Sequence, residues 1–323
     1  MTKKKAVNLE ASAVNPGDLS WDPVTAVCLV RSYDNTVEEE KWDRIQDAEI
    51  VLTNKVIIDE AVFDRFPQIR YVGVCATGYN VVDLKAARER GITVTNVPAY
   101  STDSVAQHTF ALLLDLCSKV TLHDESVRAG DWSRVQTFFY WKAPVIEIAG
   151  KTIGIYGYGN IGRTVARIAK SFGMQVLVYT AHPEKYLDHA DGQLTFTDEE
   201  TLFRQSDFIT FHCPLTPETD RLVRKENIAR MRDGVILINV ARGGLVCEAD
   251  LAEALRSGKV GGAGLDVVAE EPMPADSPLA GVPNLIITPH IAWASSEART
   301  RLINIVAENI RGWLEGKPQN VVN

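Results

Sequence analysis

Long apolar runs are missing from this 323-residue chain. No stretch reaches the roughly 18 consecutive apolar residues that a membrane-crossing helix needs. The lysines Lys3, Lys4 and Lys5 have no apolar h-region after them, so no secretion signal is read. Cysteine is scarce: Cys28, Cys75, Cys117, Cys213 and Cys247 are odd in number, scattered, and without C-x-x-C spacing. That pattern argues against a disulfide framework and against a zinc site, and it suits a reducing cytoplasm; no metal is expected. Positive charge is in deficit, with 34 Lys and Arg against 42 Asp and Glu, a net charge of −8. Such a balance argues against nucleic acid or an anionic membrane as partner, and three terminal lysines do not change it.

What is present is the composition of an ordinary soluble globule, 46% apolar and 24% charged, in a chain long enough for two domains. Its most informative stretch is Gly157-Tyr-Gly-Asn-Ile-Gly162, a Gly-x-Gly-x-x-Gly run. The short apolar segment Lys151–Tyr156 before it reads as a strand, and Ile161–Phe172 after it carries apolar residues at helical spacing. A strand, a glycine turn and a helix N-terminus together cradle a pyrophosphate. The glycines allow the sharp turn and close approach, and the helix end offers N–H groups and a positive dipole. The bland alternative is a tight structural turn between strand and helix.

From Gly150 onward strand-like and helix-like segments alternate. Ile153–Tyr156, Gln175–Tyr179, Phe208–Phe211, Val235–Asn239, Gly262–Asp266 and Leu285–Thr288 read as six strands, the number in a full Rossmann sheet. Ile161–Phe172, Thr197–Gln205, Lys225–Met231 and Glu248–Ser257 read as the helices between them. The first hundred residues alternate too, with strands expected at Ala26–Val30, Ile50–Leu52, Arg70–Val74 and Ile92–Thr95. Two long helical patterns, Asp103–Ser118 and Ser295–Leu314, are expected at the domain junction, the second returning the chain to its first unit. The predicted fold is therefore α/β, with two Rossmann-like or flavodoxin-like parallel-sheet domains and a cleft between them. Residues 1–100 plus 293–323 would form one domain and 101–292 the dinucleotide-binding one. The aromatics Trp132, Phe138, Phe139, Tyr140 and Trp141 fall outside any regular pattern. They suggest an oligomer contact or an active-site wall, or equally a local cluster under a loop.

A dinucleotide implies hydride transfer, and hydride transfer to a carbonyl needs a proton donor. Of six histidines, His290 stands just past the last Rossmann strand, where open α/β sheets bind their ligands. His212, after Phe208–Phe211, is its competitor, and His108 reads as a packed polar residue within a helix. An imidazole titrates near ~6.5, so a neighbouring carboxylate would keep it protonated for donation. Glu271 is a plausible partner, or else a solvated turn residue before Pro272. Arg242 follows Val235–Asn239, and its fork suits carboxylate and carbonyl oxygens; the bland reading is a surface arginine. Arg242, Glu271 and His290 share one property: each follows a strand of the same sheet at its carboxyl end.

Lys151–Gly162, Asn239–Gly244, Gly264–Asp266 with Glu271-Pro272, and Thr288–Ala292 resemble, in order, the motifs of the D-isomer-specific 2-hydroxyacid dehydrogenases. The resemblance spans nearly the whole chain. Asn15–Trp21, Cys75–Asn80, Asn96–Thr102 and Pro289–Trp293 are most similar to the glycerate dehydrogenases, or hydroxypyruvate reductases, of that family. The Asn96–Tyr100 segment also resembles D-lactate dehydrogenases. The resemblance implies an NAD- or NADP-dependent oxidoreductase for a small 2-oxo or D-2-hydroxy acid, with hydroxypyruvate and glyoxylate as substrates. Arg242 would orient the substrate and polarise its carbonyl, His290 would exchange the proton, and Glu271 would hold His290. Asp266 would contact the nicotinamide side, and Asn160 and Ile161 the pyrophosphate. Gly157, Gly159, Gly162, Thr180, Cys213, Val240, Ala241 and Ala292 complete the implied cofactor site. Backbone N–H groups at Ala76, Thr77 and Gly78 would bind the substrate carboxylate, and Tyr100 could add a hydroxyl. The resemblance also implies a homodimer through the nucleotide domain, with Trp141 as the candidate to enter the partner's site.

Glu271 stands where formate dehydrogenases carry Gln, which weakens that reading. D-lactate or another D-2-hydroxyacid dehydrogenase, phosphoglycerate dehydrogenase, and a non-catalytic NAD(H)-sensing scaffold are the remaining alternatives. One departure concerns the cofactor. NAD-specific members carry an acid after the second strand for the ribose 2′-hydroxyl, and here Thr180 follows Val176–Tyr179, with His182, Glu184 and Lys185 beyond. Relaxed cofactor choice, with NADPH possible, is the expectation.

Overall fold

Short β-branched and aromatic runs form the strands, and every pairing between the twelve strands of the described residues is parallel. The computed structural model describes residues 3–323. The chain separates into two units, one made of the residues up to Ser101 with Trp293–Asn323, the other of Thr102–Ala292. Parallel neighbours need crossover connections, and helices supply them in both units.

In the first unit the strands are β1 (Lys5–Asn8), β2 (Leu29–Ser32), β3 (Ile50–Thr53), β4 (Tyr71–Val74) and β5 (Thr93–Thr95). Their order, β2-β1-β3-β4-β5, is the flavodoxin-like one. The central strand β1 was not expected. It is only four residues long, beside a run of lysines, with Val7 its one β-branched residue. Pairing on both edges and burial of Ala6, Val7 and Asn8 make it a strand, a stabilisation that exists only in the assembled sheet. The expected strand at Ala26–Val30 is also displaced. Asp22–Thr25, with Pro23 in its first turn, is helical, and β2 starts at Leu29.

The C-terminal helix Ser296–Leu314 belongs to this unit. Ser295 caps it by accepting from the Ala298 N–H, and Ala298, Leu302, Ile303, Val306 and Ile310 bury in a cluster with Ile50, Leu52 and Tyr71. Arg299 grips Asp18 with both arms at 2.7 and 2.6 Å and also donates to the carbonyls of Ala294 and Val14. This bidentate pair ties the loop after the first helical turn to the base of the last helix. At the chain end Val322 N–H donates to Val94 O, so the final residues line the β5 edge.

The second unit has β6 (Thr152–Tyr156), β7 (Gln175–Tyr179), β8 (Leu194–Phe196), β9 (Phe208–Phe211), β10 (Val235–Asn239), β11 (Val260–Leu265) and β12 (Leu285–Ile287). The order β12-β11-β10-β9-β6-β7-β8 is Rossmann-like, with a seventh strand where six were expected. The unforeseen β8 is three residues on the sheet edge, too short to show a period. Helix Thr102–Ser118 packs within this unit on β10 and β11. Glycines admit it: a Cβ on Gly264 would lie 2.9 Å from the Leu112 Cβ, and one on Gly262 3.2 Å from a Leu116 methyl.

Candidate active site

The strand order reverses between β6 and β9, and the glycine run sits at that reversal. Its three glycines do different work. Gly157 has φ +102°, and a Cβ there would strike the backbone of His212 and Cys213 at 2.7 Å. A Cβ on Gly162 would lie 2.1 Å from the Gly157 carbonyl oxygen, so the helix can start hard against the turn only with glycine there. Gly159 has nothing within 4 Å of that position. Its open face fronts helix Asn160–Ser171, whose N-terminus no side chain caps. Space beside uncapped N–H groups is what a pyrophosphate requires, so these residues fit a dinucleotide. Thr180 stands half-buried just past β7, while Cys213 and Val240 are buried past β9 and β10, followed by Ala241. Burial pushes the Cys213 thiol up to about 11, which keeps it neutral.

Beyond β10, Asn239 shapes the turn that presents Arg242. Its Nδ2 donates to Arg242 O at 2.8 Å, and its Oδ1 accepts from the Ala241 N–H at 3.0 Å. Gly243 follows because a Cβ would collide with Val268 O at 1.8 Å, so this turn lies against the segment leaving β11. The Arg242 side chain is exposed and donates only to its own neighbour's carbonyl, Ala241 O. Among the described residues no carboxylate pairs with it.

Glu271 and His290 do meet: Nδ1 of the imidazole is 2.7 Å from Oε2 of the carboxylate. Glu271 Oε1 also accepts from the Val268 N–H at 3.3 Å, which fixes the carboxylate. A carboxylate on Nδ1 sets the tautomer and leaves Nε2 for a substrate. His290 itself sits at φ +55°, a strained position for a non-glycine residue. Asp266 holds it there. This carboxylate, 1% exposed, accepts from the N–H groups of Ile291 and Ala292 at 2.9 and 2.8 Å and from the Thr288 hydroxyl at 2.6 Å. The His290 N–H donates to Asp266 O at 2.8 Å. His108 closes the group, its Nε2 2.9 Å from Thr288 Oγ1 and 3.5 Å from Asp266 Oδ1. Asp266 is thus the post of the histidine loop. The sequence signal for Asn239 and Asp266 was a polar residue ending an apolar strand.

His212, the competing histidine, is differently placed. Its Nε2 is bonded to Thr210 Oγ1 at 2.9 Å, and its Nδ1 is buried with no partner. Burial drives its pKa down to about 3, so it stays neutral near pH 7.

In the first unit, Ala76, Thr77 and Gly78 form an open loop after β4. Tyr100 is buried there, its ring edge-on to Trp293 at 6.3 Å and its carbonyl held by Arg301 Nε. The aromatic segment of the second unit is mostly exposed. Phe138 is 86% and Trp141 65% exposed, with Phe139 stacked on Trp141 at 5.8 Å.

A dinucleotide cradle at the switch point, with an arginine and a carboxylate-held histidine beyond neighbouring strands, defines a nicotinamide-dependent oxidoreductase. Residues 110–292 match the family model described as D-isomer specific 2-hydroxyacid dehydrogenase, NAD binding domain. The chain belongs to that family. It is 49% identical over 324 residues to a hydroxypyruvate reductase of Blautia hydrogenotrophica, covering 99% of each chain. It is 43% identical to a glycerate dehydrogenase of Methylorubrum extorquens, over 90% of this chain and 91% of the relative. Among solved structures it is similar to a D-lactate dehydrogenase with NAD+ from Lactobacillus jensenii, at 30% identity, TM-score 0.81 and 99% of both chains. No helix among the described residues is long and apolar enough to cross a membrane.

Proposed function

We propose that the chain reduces hydroxypyruvate to D-glycerate, and glyoxylate to glycolate, by the reaction 2-oxo acid + NAD(P)H + H⁺ → D-2-hydroxy acid + NAD(P)⁺. The observation that carries the chemistry is the 2.7 Å His290–Glu271 pair with Arg242 unpaired on the adjoining turn. The two relatives named for hydroxypyruvate and glycerate support the choice of substrate. The bound cofactor supplies a hydride to the substrate C2. Arg242 draws charge onto the carbonyl oxygen and grips the carboxylate, and His290 Nε2 delivers the proton to that oxygen. Glu271 keeps the ring oriented, while Asp266 fixes the backbone that carries it. Backbone N–H groups at Ala76, Thr77 and Gly78 bind the carboxylate, with Tyr100 beside them. Steady-state assays with hydroxypyruvate, glyoxylate, pyruvate and phosphohydroxypyruvate test the assignment. A kcat/KM highest for pyruvate overturns it.

Cofactor choice is proposed to be relaxed. Thr180 offers no charge to repel a 2′-phosphate, and Lys185 and His182 lie exposed beyond it. Glu184, 3.2 Å from His182, tempers that attraction. The expected ratio of kcat/KM for NADH over NADPH is below about a hundredfold, under ~3 kcal/mol, and about a thousandfold or more overturns it.

The exposed aromatic segment is proposed to cover a second copy of this chain. Phe138, Trp141, Val120 and Val145 are large apolar side chains exposed to water on this unit, and exposed apolar surface of that kind marks interaction sites. Light scattering is expected to give the mass of two chains, and Trp141→Glu with Phe138→Glu to shift it toward one. The five cysteines, all free thiols, suit a cytoplasmic site of action.

A further inference from the structure

The loop proposed to bind the substrate carboxylate is pinned from behind. Three successive carbonyls accept bonds from the unit's interior: Cys75 O from Asn54 Nδ2 at 2.9 Å, Ala76 O from Val97 N at 3.0 Å, and Thr77 O from Asn96 Nδ2 at 2.7 Å. The Thr77 hydroxyl adds a bond to Val97 O at 3.0 Å. With their carbonyls turned inward, the N–H groups of Ala76, Thr77 and Gly78 have no acceptor among the described residues. Successive free N–H groups of this kind form an anion-binding concavity.

Both asparagines are themselves locked. Asn54 sits in a turn whose N–H groups at Asn54, Lys55 and Val56 converge on Glu10 Oε2 at 2.8, 2.7 and 2.9 Å. Asn96 is held by the end of the chain. Asn309 Nδ2, on the last helix and 1% exposed, donates to Asn96 O at 2.9 Å. Asn320 Nδ2 donates to Asn309 Oδ1 at 2.8 Å, and Asn320 O accepts from the Asn96 N–H at 3.2 Å. Asn320 lies at φ +54°, a conformation asparagine tolerates better than most residues. A chain of amides therefore runs from the C-terminal segment to the carbonyl of Thr77.

We propose that Asn96, braced by Asn309 and Asn320, is the positioning residue that aims the N–H groups of Thr77 and Gly78 at the substrate carboxylate. The inference rests on the reading that Ala76–Gly78 bind that carboxylate. Asn96 touches no substrate; it holds the Thr77 carbonyl back. Asn96→Asp keeps the shape but replaces the donor with an acceptor facing that carbonyl. It is expected to raise KM for hydroxypyruvate, and Kd for oxamate in the presence of NADH, by about tenfold or more, with kcat within about threefold. The Kd for NADH alone stays unchanged. Asn320→Gly, which retains the positive φ and loses the relay, moves the same quantities in the same direction by less. If Asn96→Asp fails to fold, this variant decides the matter.

Amide NMR separates the two ways of failing. In the wild-type protein with NADH, oxamate is expected to shift the Thr77 and Gly78 amide signals. No shift there overturns the carboxylate reading and the positioning role with it. A shift in the wild type, with oxamate Kd and KM unaltered in both variants, overturns the positioning role alone.

Discussion

Arg242→Ala is expected to lower kcat/KM for hydroxypyruvate by about 10³- to 10⁴-fold, because two hydrogen bonds to charged oxygens, ~4–6 kcal/mol together, vanish from the transition state. Fluorescence titration of NADH should give a Kd within about threefold of wild type. The reasoning is local. The guanidinium makes one hydrogen bond, to Ala241 O, and has no acidic partner, so its removal unbalances little of the fold. The turn that presents it is held by Asn239 and by the close approach of Gly243 to Val268, neither of which needs the side chain. Arg242→Lys restores the charge but not the fork, so it should recover only part of the loss. Near wild-type reduction of hydroxypyruvate by Arg242→Ala refutes the proposed mechanism.

The second large effect is expected at His290. His290→Gln removes the proton donor and should cost about 10²–10⁴-fold in kcat. Single-turnover mixing of enzyme–NADH with hydroxypyruvate, followed by loss of reduced-nicotinamide absorbance, isolates that step. The backbone at φ +55° complicates the substitution, since glutamine gains nothing from that region. His290→Asn is the matched control, because asparagine adopts such angles more readily. If His290→Asn folds with wild-type thermal stability and equal loss of rate, the defect lies in proton transfer. Retained activity in both variants would point to another donor. His212 suits that role less well, because burial lowers its pKa to about 3 and leaves it neutral.

Much of the nucleotide unit was legible because its signals are local. The glycine run predicts a turn from the stereochemistry of three residues. Apolar runs such as Val235–Asn239, buried at every position, are what a strand covered on both faces must be. Arg242, Glu271 and His290 could be grouped because parallel strands all end at one edge, so a residue just past each strand falls on the same side. Elements defined by their neighbours escaped. Strand β1 needs ladders on both edges, β8 is an edge strand of three residues, and Ala26–Val30 slipped because Asp22-Pro23 starts a helical turn.

By itself, then, the sequence determined two α/β units, a dinucleotide cradle at Gly157–Gly162, and the residue types of a hydride-transfer site. These follow from covalent stereochemistry and from the periodicity of burial, which each segment carries within its own few residues. Only the tertiary structure decided how the site residues are held. It gave Asp266 the histidine loop to anchor, paired His290 with Glu271 and His212 with Thr210, and joined Asn320 through Asn309 and Asn96 to Thr77. Hydrogen bonds such as Asn309 to Asn96 link residues hundreds of positions apart, and burial of one imidazole rather than another depends on everything packed around it. Neither quantity exists until the chain has folded.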